Sequence, residues 1–398
     1  MREENQTLQG VRWLQRLQPL LARLRDNACQ RDRAGNRQLF FDQVCSLILL
    51  TFFNPTLTSL RDLSQASRLR QVRQKLGCRA ASLGSLSEAM HVFDPELLRE
   101  ILQELLSELP QTPGGDPRLA ALAHVPTAVD GTLLRQLPQI TQACFASRRD
   151  RGWKLHVHFE VLRSAATSAV LTDASGQDAA NEKAVLRAQL EAGRTYITDR
   201  GYEEFALFNA IVAAGSSYVC RVRGDHHFTT ERRQPLDEEA QRAGVCEDAL
   251  GRMGSPKSQR IEHPQHPQRR IVVQVPPARG RRGRPTSAQT LVLATNLLDV
   301  PASVIAVLYQ HRWLIELFFR WLKCVLACRH LLSRTANGLE IQMYCALIAC
   351  LLVQLAGGAM RPQQWTYKLL CLYLQGWAEE DEVLAHLQQR AFAASQPG

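Results

Sequence analysis

Between Tyr309 and Lys323 the chain sets a phenol, a guanidinium, a carboxylate and an ammonium at intervals of three, four and seven residues. On one helix, Arg312, Glu316 and Lys323 point about −60°, −20° and −40° from Tyr309, so all four share a narrow stripe. Leu314, Ile315, Leu317, Phe318, Phe319, Trp321 and Leu322 cover the opposite face and both flanks. A helix so apolar is buried over most of its girth. Its stripe then holds a carboxylate hemmed in by two cations and a phenol, which suits a site handling a metal ion and a phosphate. Arg forks around phosphate oxygens, Lys supplies a compact charge, and Tyr donates a hydroxyl. Glu and Arg four apart also make an ordinary solvated ion pair, worth about 0.3–0.5 kcal/mol.

Two further carboxylates close apolar runs. Val125 to Val129 leads into Asp130-Gly131-Thr132, and Thr195 to Thr198 leads into Asp199-Arg200-Gly201. Each is also a common turn sequence. Gathered together, Asp130, Asp199 and Glu316 would repel one another unless a cation sat among them. Oxygen ligands of this kind suit Mg²⁺ or Mn²⁺. Two such ions about 3.5–4 Å apart serve the attacking and departing oxygens of an in-line displacement. That is nuclease or strand-transfer chemistry.

The elements that must position these groups can be read from hydrophobic periodicity. Residues 1–118 read as helix after helix, with Leu14, Leu17 and Leu21, then Leu98, Ile101, Leu102 and Leu105, at helical intervals. Arg61, Arg68, Arg70, Arg73, Lys75 and Arg79 lie close together there, either as a DNA-reading surface or as a solvated helical face. Gln111 to Pro117 is a loop by composition and a domain boundary.

From 119 to 223 the pattern runs three strands, helix, strand, helix, strand. Lys154 to Leu162 alternates cleanly, with Leu155, Val157, Phe159 and Val161 on one side. The expected architecture is α/β: a ribonuclease-H-like mixed sheet flanked by helices, behind a helical N-terminal domain. It places Asp130 at the end of strand one beside Asp199 at the end of strand four, and open sheets commonly bind ligands beyond strand ends.

Residues 224–290 read as a basic, strand-rich insertion. From Lys257 to Arg284 there are eight cationic side chains against Glu262. Arg279, Arg281, Arg282 and Arg284 cluster where glycines alternate with them, and phosphate contact is favoured over a merely solvated loop because clustered guanidiniums release counterions from nucleic acid. Residues 291–360 return to the core and carry the Tyr309–Lys323 helix, entered near Pro301. Residues 361–398 form a C-terminal helical segment.

A chain of 398 residues can bury sizeable cores in two or three domains, and its net charge of +10 favours a polyanionic partner. The opening Met-Arg-Glu-Glu-Asn-Gln has no apolar signal core. The longest apolar run, Tyr344 to Ala356, is too short to span a bilayer and reads as a buried helix. Eleven scattered cysteines without a secretion signal are expected to be reduced thiols in the cytoplasm. Cys324, Cys328 and His330 read as buried groups rather than a zinc site, since no second pair of ligands accompanies them.

The order Tyr-x2-Arg-x3-Glu-x6-Lys resembles the signature of the IS4 family of bacterial DDE transposases. Val-Asp130-Gly-Thr132 looks like that family's first-aspartate motif, and Thr-Asp199-Arg-Gly-Tyr202 like its second. Lys154-Leu-His156, Leu293-Ala-Thr-Asn296, His330-Leu-Leu-Ser333 and Asn337-Gly338 extend the resemblance over roughly residues 120–360. It implies that Asp130, Asp199 and Glu316 are the catalytic metal ligands for Mg²⁺, with Mn²⁺ able to substitute and two ions expected. Tyr309, Arg312 and Lys323 would contact phosphates of the element's end. Double-stranded DNA is the implied partner, a homodimer on DNA the implied assembly, and the bacterial cytoplasm, at the nucleoid, the implied place. The family excises an element by hydrolysis, in its best-known members through a hairpin, and joins the ends to target DNA.

One feature departs from some relatives, which stack a flipped base on a tryptophan of the insertion. The six tryptophans here all lie outside 224–290, leaving His226 or Phe228 as substitutes. Alternatives to the transposase reading are a related metal-dependent endonuclease without strand transfer, and a non-catalytic DNA-binding descendant.

Overall fold

Strand-forming alternation in the middle of the chain produces one large sheet. The computed structural model describes residues 19–25, 38–54, 56–111, 117–119, 122–135, 152–173, 180–255, 262–277, 287–325, 331–333, 335–356, 364–374 and 377–395. β1 (Val125–Arg135), β2 (Gly152–Glu160) and β3 (Ala165–Asp173) make an antiparallel meander. β4 (Arg194–Thr198) lies parallel to β1, and β5 (Ser217–Val222) parallel to β4. The remaining strands are β6 (Phe228–Arg233), β7 (Val245–Met253), β8 (Gln268–Val275) and β9 (Gln289–Thr295). The full order is β3-β2-β1-β4-β5-β9-β8-β7-β6. The expected order of core strands is therefore observed.

Two expectations about the strands change. β1 does not stop at Asp130: it runs on to Arg135, and Asp130 pairs with Val157 of β2. Asp130-Gly131 is accordingly no turn, because Thr132 to Leu134 keep their register against Trp153 to Leu155. The insertion, too, extends the core sheet: its β8 pairs antiparallel with β9, which pairs antiparallel with β5 from Val219–Thr295 to Val222–Val292.

The helices number, in chain order, α1 (Phe41–Phe53), α2 (Leu60–Ala66), α3 (Arg70–Leu76), α4 (Leu83–Val92), α5 (Glu96–Ser107), α6 (Glu182–Ala188), α7 (Phe205–Ala213), α8 (Glu238–Arg242), α9 (Ala302–Gln310), α10 (Trp313–Val325), α11 (Ala336–Ala356), α12 (Gln364–Leu374) and α13 (Glu380–Ser395). They cover the sheet on two faces. On one, α9, α10, α11 and the N-terminal helices bury Ala128, Leu155, Val157, Phe159, Ile197, Val219 and Leu293. On the other, α6 and α7 pack Leu186, Leu207, Phe208 and Ile211 against Val129, Tyr196, Tyr218 and Cys220.

α11 ties the N-terminal helices to the sheet. It is long and apolar enough to cross a bilayer, yet 89% of its most apolar window is buried inside the protein. Its polar side chains find fixed partners, as buried polar groups require. Tyr344 donates its hydroxyl to Ala169 O (3.2 Å), and Gln354 Nε2 donates to Arg163 O (2.7 Å). Asn337 Nδ2 reaches Met90 O and Phe93 O at 2.9 and 2.8 Å, clamping α11 to the end of α4. A Cβ on Gly338 would stand 2.8 Å from Met90 Cβ and collide with Ser333. Asn337-Gly338 is thus a packing motif in this chain.

The expected single helix from Tyr309 to Lys323 is divided. α9 ends at Gln310, residues 311–312 form a turn, and α10 begins at Trp313. His311 Nδ1–H donates back to Val307 O at 2.8 Å, while Arg312 N–H closes a tight bond onto Tyr309 O at 3.0 Å. Three-residue bonds of this kind mark the tightened last turn of a helix.

Candidate active site

The parallel pairing of β1 with β4 ends at Ala128–Ile197. Two residues further along each strand stand Asp130 and Asp199, so strand periodicity puts both on one side of the sheet where β1 and β4 part. Asp199 keeps an extended backbone (φ −85°, ψ −176°) and caps a short 3₁₀ turn, accepting Gly201 N–H at 2.8 Å. Asp130 Oδ1 accepts the N–H of Gly131 at 2.7 Å.

The third group arrives from α10. Its apolar side packs on the same face, Phe318 against Phe159 at 5.3 Å between ring centroids. That leaves Arg312 and Glu316 at the strand edge. Arg312 Nη1 lies 3.6 Å from Asp130 Oδ2, and Nη2 donates to Glu316 Oε1. One guanidinium therefore joins two of the three predicted carboxylates. Tyr309, on α9, is buried; burial pushes its phenol up to about 12, with Arg312 and Arg221 pulling the other way. Lys323 is exposed at the far end of α10, so the four-residue stripe is split between a buried phenol, a half-buried ion pair and an exposed ammonium.

Electrostatics set Asp130 apart. Burial pushes its carboxyl up to about 6; Gly131 N–H and Arg312 oppose the shift, and the charges of Asp199 and Glu182 add to it. Glu182 escaped the sequence reading. It is the first residue of α6, directly after Asn181, whose side chain caps the helix by accepting Lys183 N–H. Its carboxylate pairs with Lys154 Nζ. Beside it, Tyr202 is buried and its hydroxyl has no hydrogen-bond partner among the described residues. Burial, then the charges of Glu182, Asp130 and Asp199, raise that phenol well above its usual range.

These groups fit a divalent cation in kind. The donors are hard carboxylate oxygens, the half-buried Asp130 carboxyl sits among other acids, and the Tyr202 phenol, unpartnered among the described residues, feels the charges of Glu182, Asp130 and Asp199. Among the described residues, however, no three acids, histidines or cysteines are gathered closely enough to ligate one ion. Glu316 is held by Arg312 instead.

Other predicted groups fall as follows. Arg279, Arg281, Arg282 and Arg284 lie outside the described residues, as do Cys328 and His330 and the Cys324 side chain. Arg61, Arg68, Arg70, Arg73 and Arg79 are exposed on and beside α2 and α3. The His226 ring is held between Glu203 and Phe205, and Phe228 lies under the Arg270 guanidinium at 5.8 Å. Both rings already have partners within the chain. Trp313, next to Arg312 and the first residue of α10, is an exposed aromatic.

The description of the transposase DDE domain family matches residues 122–352, more than half of the chain and the whole span from β1 through most of α11. This chain belongs to that family. The chain is also similar to two curated proteins. The Sinorhizobium fredii protein named "Putative transposase y4zB" is 31% identical over 209 residues, covering 52% of this chain and 54% of that one. The Geobacillus stearothermophilus "Probable transposase for insertion sequence element IS5377" is 26% identical over 204 residues, covering 51% and 49%. The chain spans about half the length of the curated relatives it matches. Among solved structures, a piggyBac transposase synaptic complex with hairpin DNA covers 89% of this chain and 73% of its own, at 11% identity and a TM-score of 0.38.

Proposed function

We propose that this chain is a DNA transposase of the IS4 type, which binds the ends of a mobile element and cuts and joins DNA strands with a divalent cation. The observation that carries the reading is the meeting of three distant motifs at one strand edge: Asp130 on β1, Asp199 after β4, and Arg312 with Glu316 at the start of α10. The strand order β3-β2-β1-β4-β5, with an antiparallel meander followed by parallel strands, supports a ribonuclease-H-like core. The order Tyr309, Arg312, Glu316, Lys323 supports the IS4 assignment.

Asp130, Asp199 and Glu316 would hold Mg²⁺ or Mn²⁺, which when bound supplies activation of the attacking oxygen and stabilisation of the leaving one. The chain's own residues do the rest. Arg312 has N–H groups beyond those facing Asp130 and Glu316, and a DNA phosphate competes for the same guanidinium. A phosphate that took Arg312 would release Glu316 from its ion pair and leave that carboxylate available to a cation held with Asp130 and Asp199. Lys323, about two turns further on the same stripe of α10, tracks the backbone with a screened point charge. The exposed arginines of α2 and α3 extend the basic surface along the duplex, and a second copy of the chain would serve the other end.

The test is cleavage of DNA carrying the flanking element's ends, with Mg²⁺ and with EDTA, by wild type and Glu316→Gln. Metal-dependent cuts at the element boundary that vanish in the variant support the reading. Binding without cutting by wild type would instead favour a DNA-binding descendant.

A further inference from the structure

We propose that Glu182 is a fourth acidic member of the divalent-cation site, shared between the Asp130 and Asp199 arms, with Lys154 as its counter-ion until a cation arrives. The inference rests on the metal-dependent reading above and extends it to a residue outside the three predicted ligands.

The two glycines that follow the aspartates carry the geometry. A Cβ on Gly131 would stand 2.9 Å from Glu182 Oε1 and 2.8 Å from Lys154 Cε. A Cβ on Gly201 would stand 3.5 Å from Glu182 Oε2 and 3.0 Å from Asp199 Oδ1. Glu182 thus spans both arms, one oxygen against the backbone beside Asp130 and the other toward Asp199. Strand register makes this approach distinct from that of α10. Asp130 shares its face with Val157, while Gly131 shares the opposite face with His156. With no side chain at Gly131, the carboxylate can reach the Asp130 edge from the α6 side of the sheet.

Two buried polar atoms turn toward the same spot. Tyr202 is 1% exposed with an unpartnered hydroxyl, and the acids that raise its phenol are Glu182, Asp130 and Asp199, after burial itself. His156 is 4% exposed; its Nε2 lies 2.9 Å from Thr172 Oγ1, while Nδ1 has no partner among the described residues and sits 3.5 Å from the Gly131 Cβ position. Burying a donor or acceptor unsatisfied is costly, and a hydrated cation at the acids answers both. A purely architectural Lys154–Glu182 pair accounts for neither.

The experiment is Mn²⁺ binding to the full chain without DNA, read from the loss of the free-ion electron paramagnetic resonance signal. Wild type, Asp130→Asn, Glu182→Gln and Lys154→Gln are compared, with thermal melts as a folding control. Wild type should bind, and Asp130→Asn should bind weakly. Glu182→Gln should lose about tenfold or more in affinity, at the lower edge of what removing a supporting carboxylate does. Lys154→Gln should bind at least as tightly as wild type, since a competing cation is gone. Unchanged affinity in Glu182→Gln, with Asp130→Asn impaired, overturns the role of Glu182 and leaves the metal reading standing. Equal losses in Glu182→Gln and Lys154→Gln overturn it too, by making the pair architectural. No binding by wild type overturns both readings together.

Discussion

Arg312 Nη1 reaches Asp130 Oδ2 at 3.6 Å, across from a strand to the start of a distant helix, while the same guanidinium holds Glu316. The cation between these two acids is supplied by the chain itself. Coulomb's law favours a divalent ion at such a place over a single guanidinium charge, provided that Arg312 has an anion to move to.

Arg312→Ala should therefore affect DNA binding and metal use together. With a phosphate contact removed, the slope of log affinity against log salt should flatten by about 0.9, the share of one phosphate on duplex DNA. Anisotropy titrations with end DNA over a range of NaCl concentrations check this. An unchanged slope would rule out a phosphate role for Arg312.

Asp130→Asn should stabilise the metal-free protein near neutral pH while abolishing cleavage. The folded carboxyl is raised to about 6 from an ordinary 3.8. For an acid raised on folding, the favourable contribution is fully present below the unfolded value and is lost as pH rises through the folded one. Wild type in EDTA should lose stability relative to the variant between about pH 4 and 6. At pH 7.5 the difference should be on the order of 1–3 kcal/mol, given about 1.4 kcal/mol per pKa unit. Urea melts at pH 4.5 and 7.5 measure it, and equal stability of the two proteins at both values would contradict the buried, repelled carboxylate.

The basic surfaces predict a non-specific contribution. Replacing Arg61, Arg68, Arg70 and Arg73 with Gln should weaken binding to end DNA and to unrelated duplex by similar factors. The salt slope should fall by up to about 3.6 if all four meet phosphates. Selective loss of end binding alone would instead make this face a reader of sequence. The same comparison on Arg279, Arg281, Arg282 and Arg284 tests the glycine-rich basic stretch.

Much of this site could be read before any fold was seen, because its parts obey short periods. Arg312 and Glu316 are four apart in sequence, and Asp199 directly follows a short strand. Glu182 could not be found that way. It meets Gly131 and Lys154 through tertiary packing, and nothing in its local spacing separates it from an ordinary first-turn glutamate favoured by the helix dipole. The break at His311 was hidden for a similar reason. Apolar periodicity runs through it unbroken, and the turn is closed by three-residue backbone bonds, from Arg312 N–H to Tyr309 O and from Leu314 N–H to His311 O, that side-chain spacing does not show. Nor does alternation within β9 reveal that its partner is β5, since a strand's pattern shows its faces but not its neighbours.

The buried pair Asp248–Arg269 links the sheet extension to the site, which makes it the place where a distant change should reach the chemistry. Arg269 Nε and Nη2 donate to the two Asp248 oxygens at 2.8 and 2.6 Å, and both side chains are about 95% buried or more. Arg269 Nη1 also donates to Leu297 O and Leu298 O, each at 3.1 Å, and to Val300 O. Those carbonyls belong to the segment that leaves β9 and enters α9 at Ala302, so the guanidinium fixes the approach to Tyr309 and Arg312. Asp248→Ala leaves that charge buried with carbonyl partners alone, and breaking such a pair costs about 3–5 kcal/mol. Replacing Asp248 and Arg269 together with Leu and Met should recover much of that stability, because the uncompensated charge goes too. The double variant nevertheless loses the three carbonyl bonds, so it should remain impaired in cleavage while melting close to wild type. Chemical denaturation and cleavage of the same preparations separate the two effects. A double variant that regained both stability and cleavage would show that Arg269 supports the fold without positioning α9.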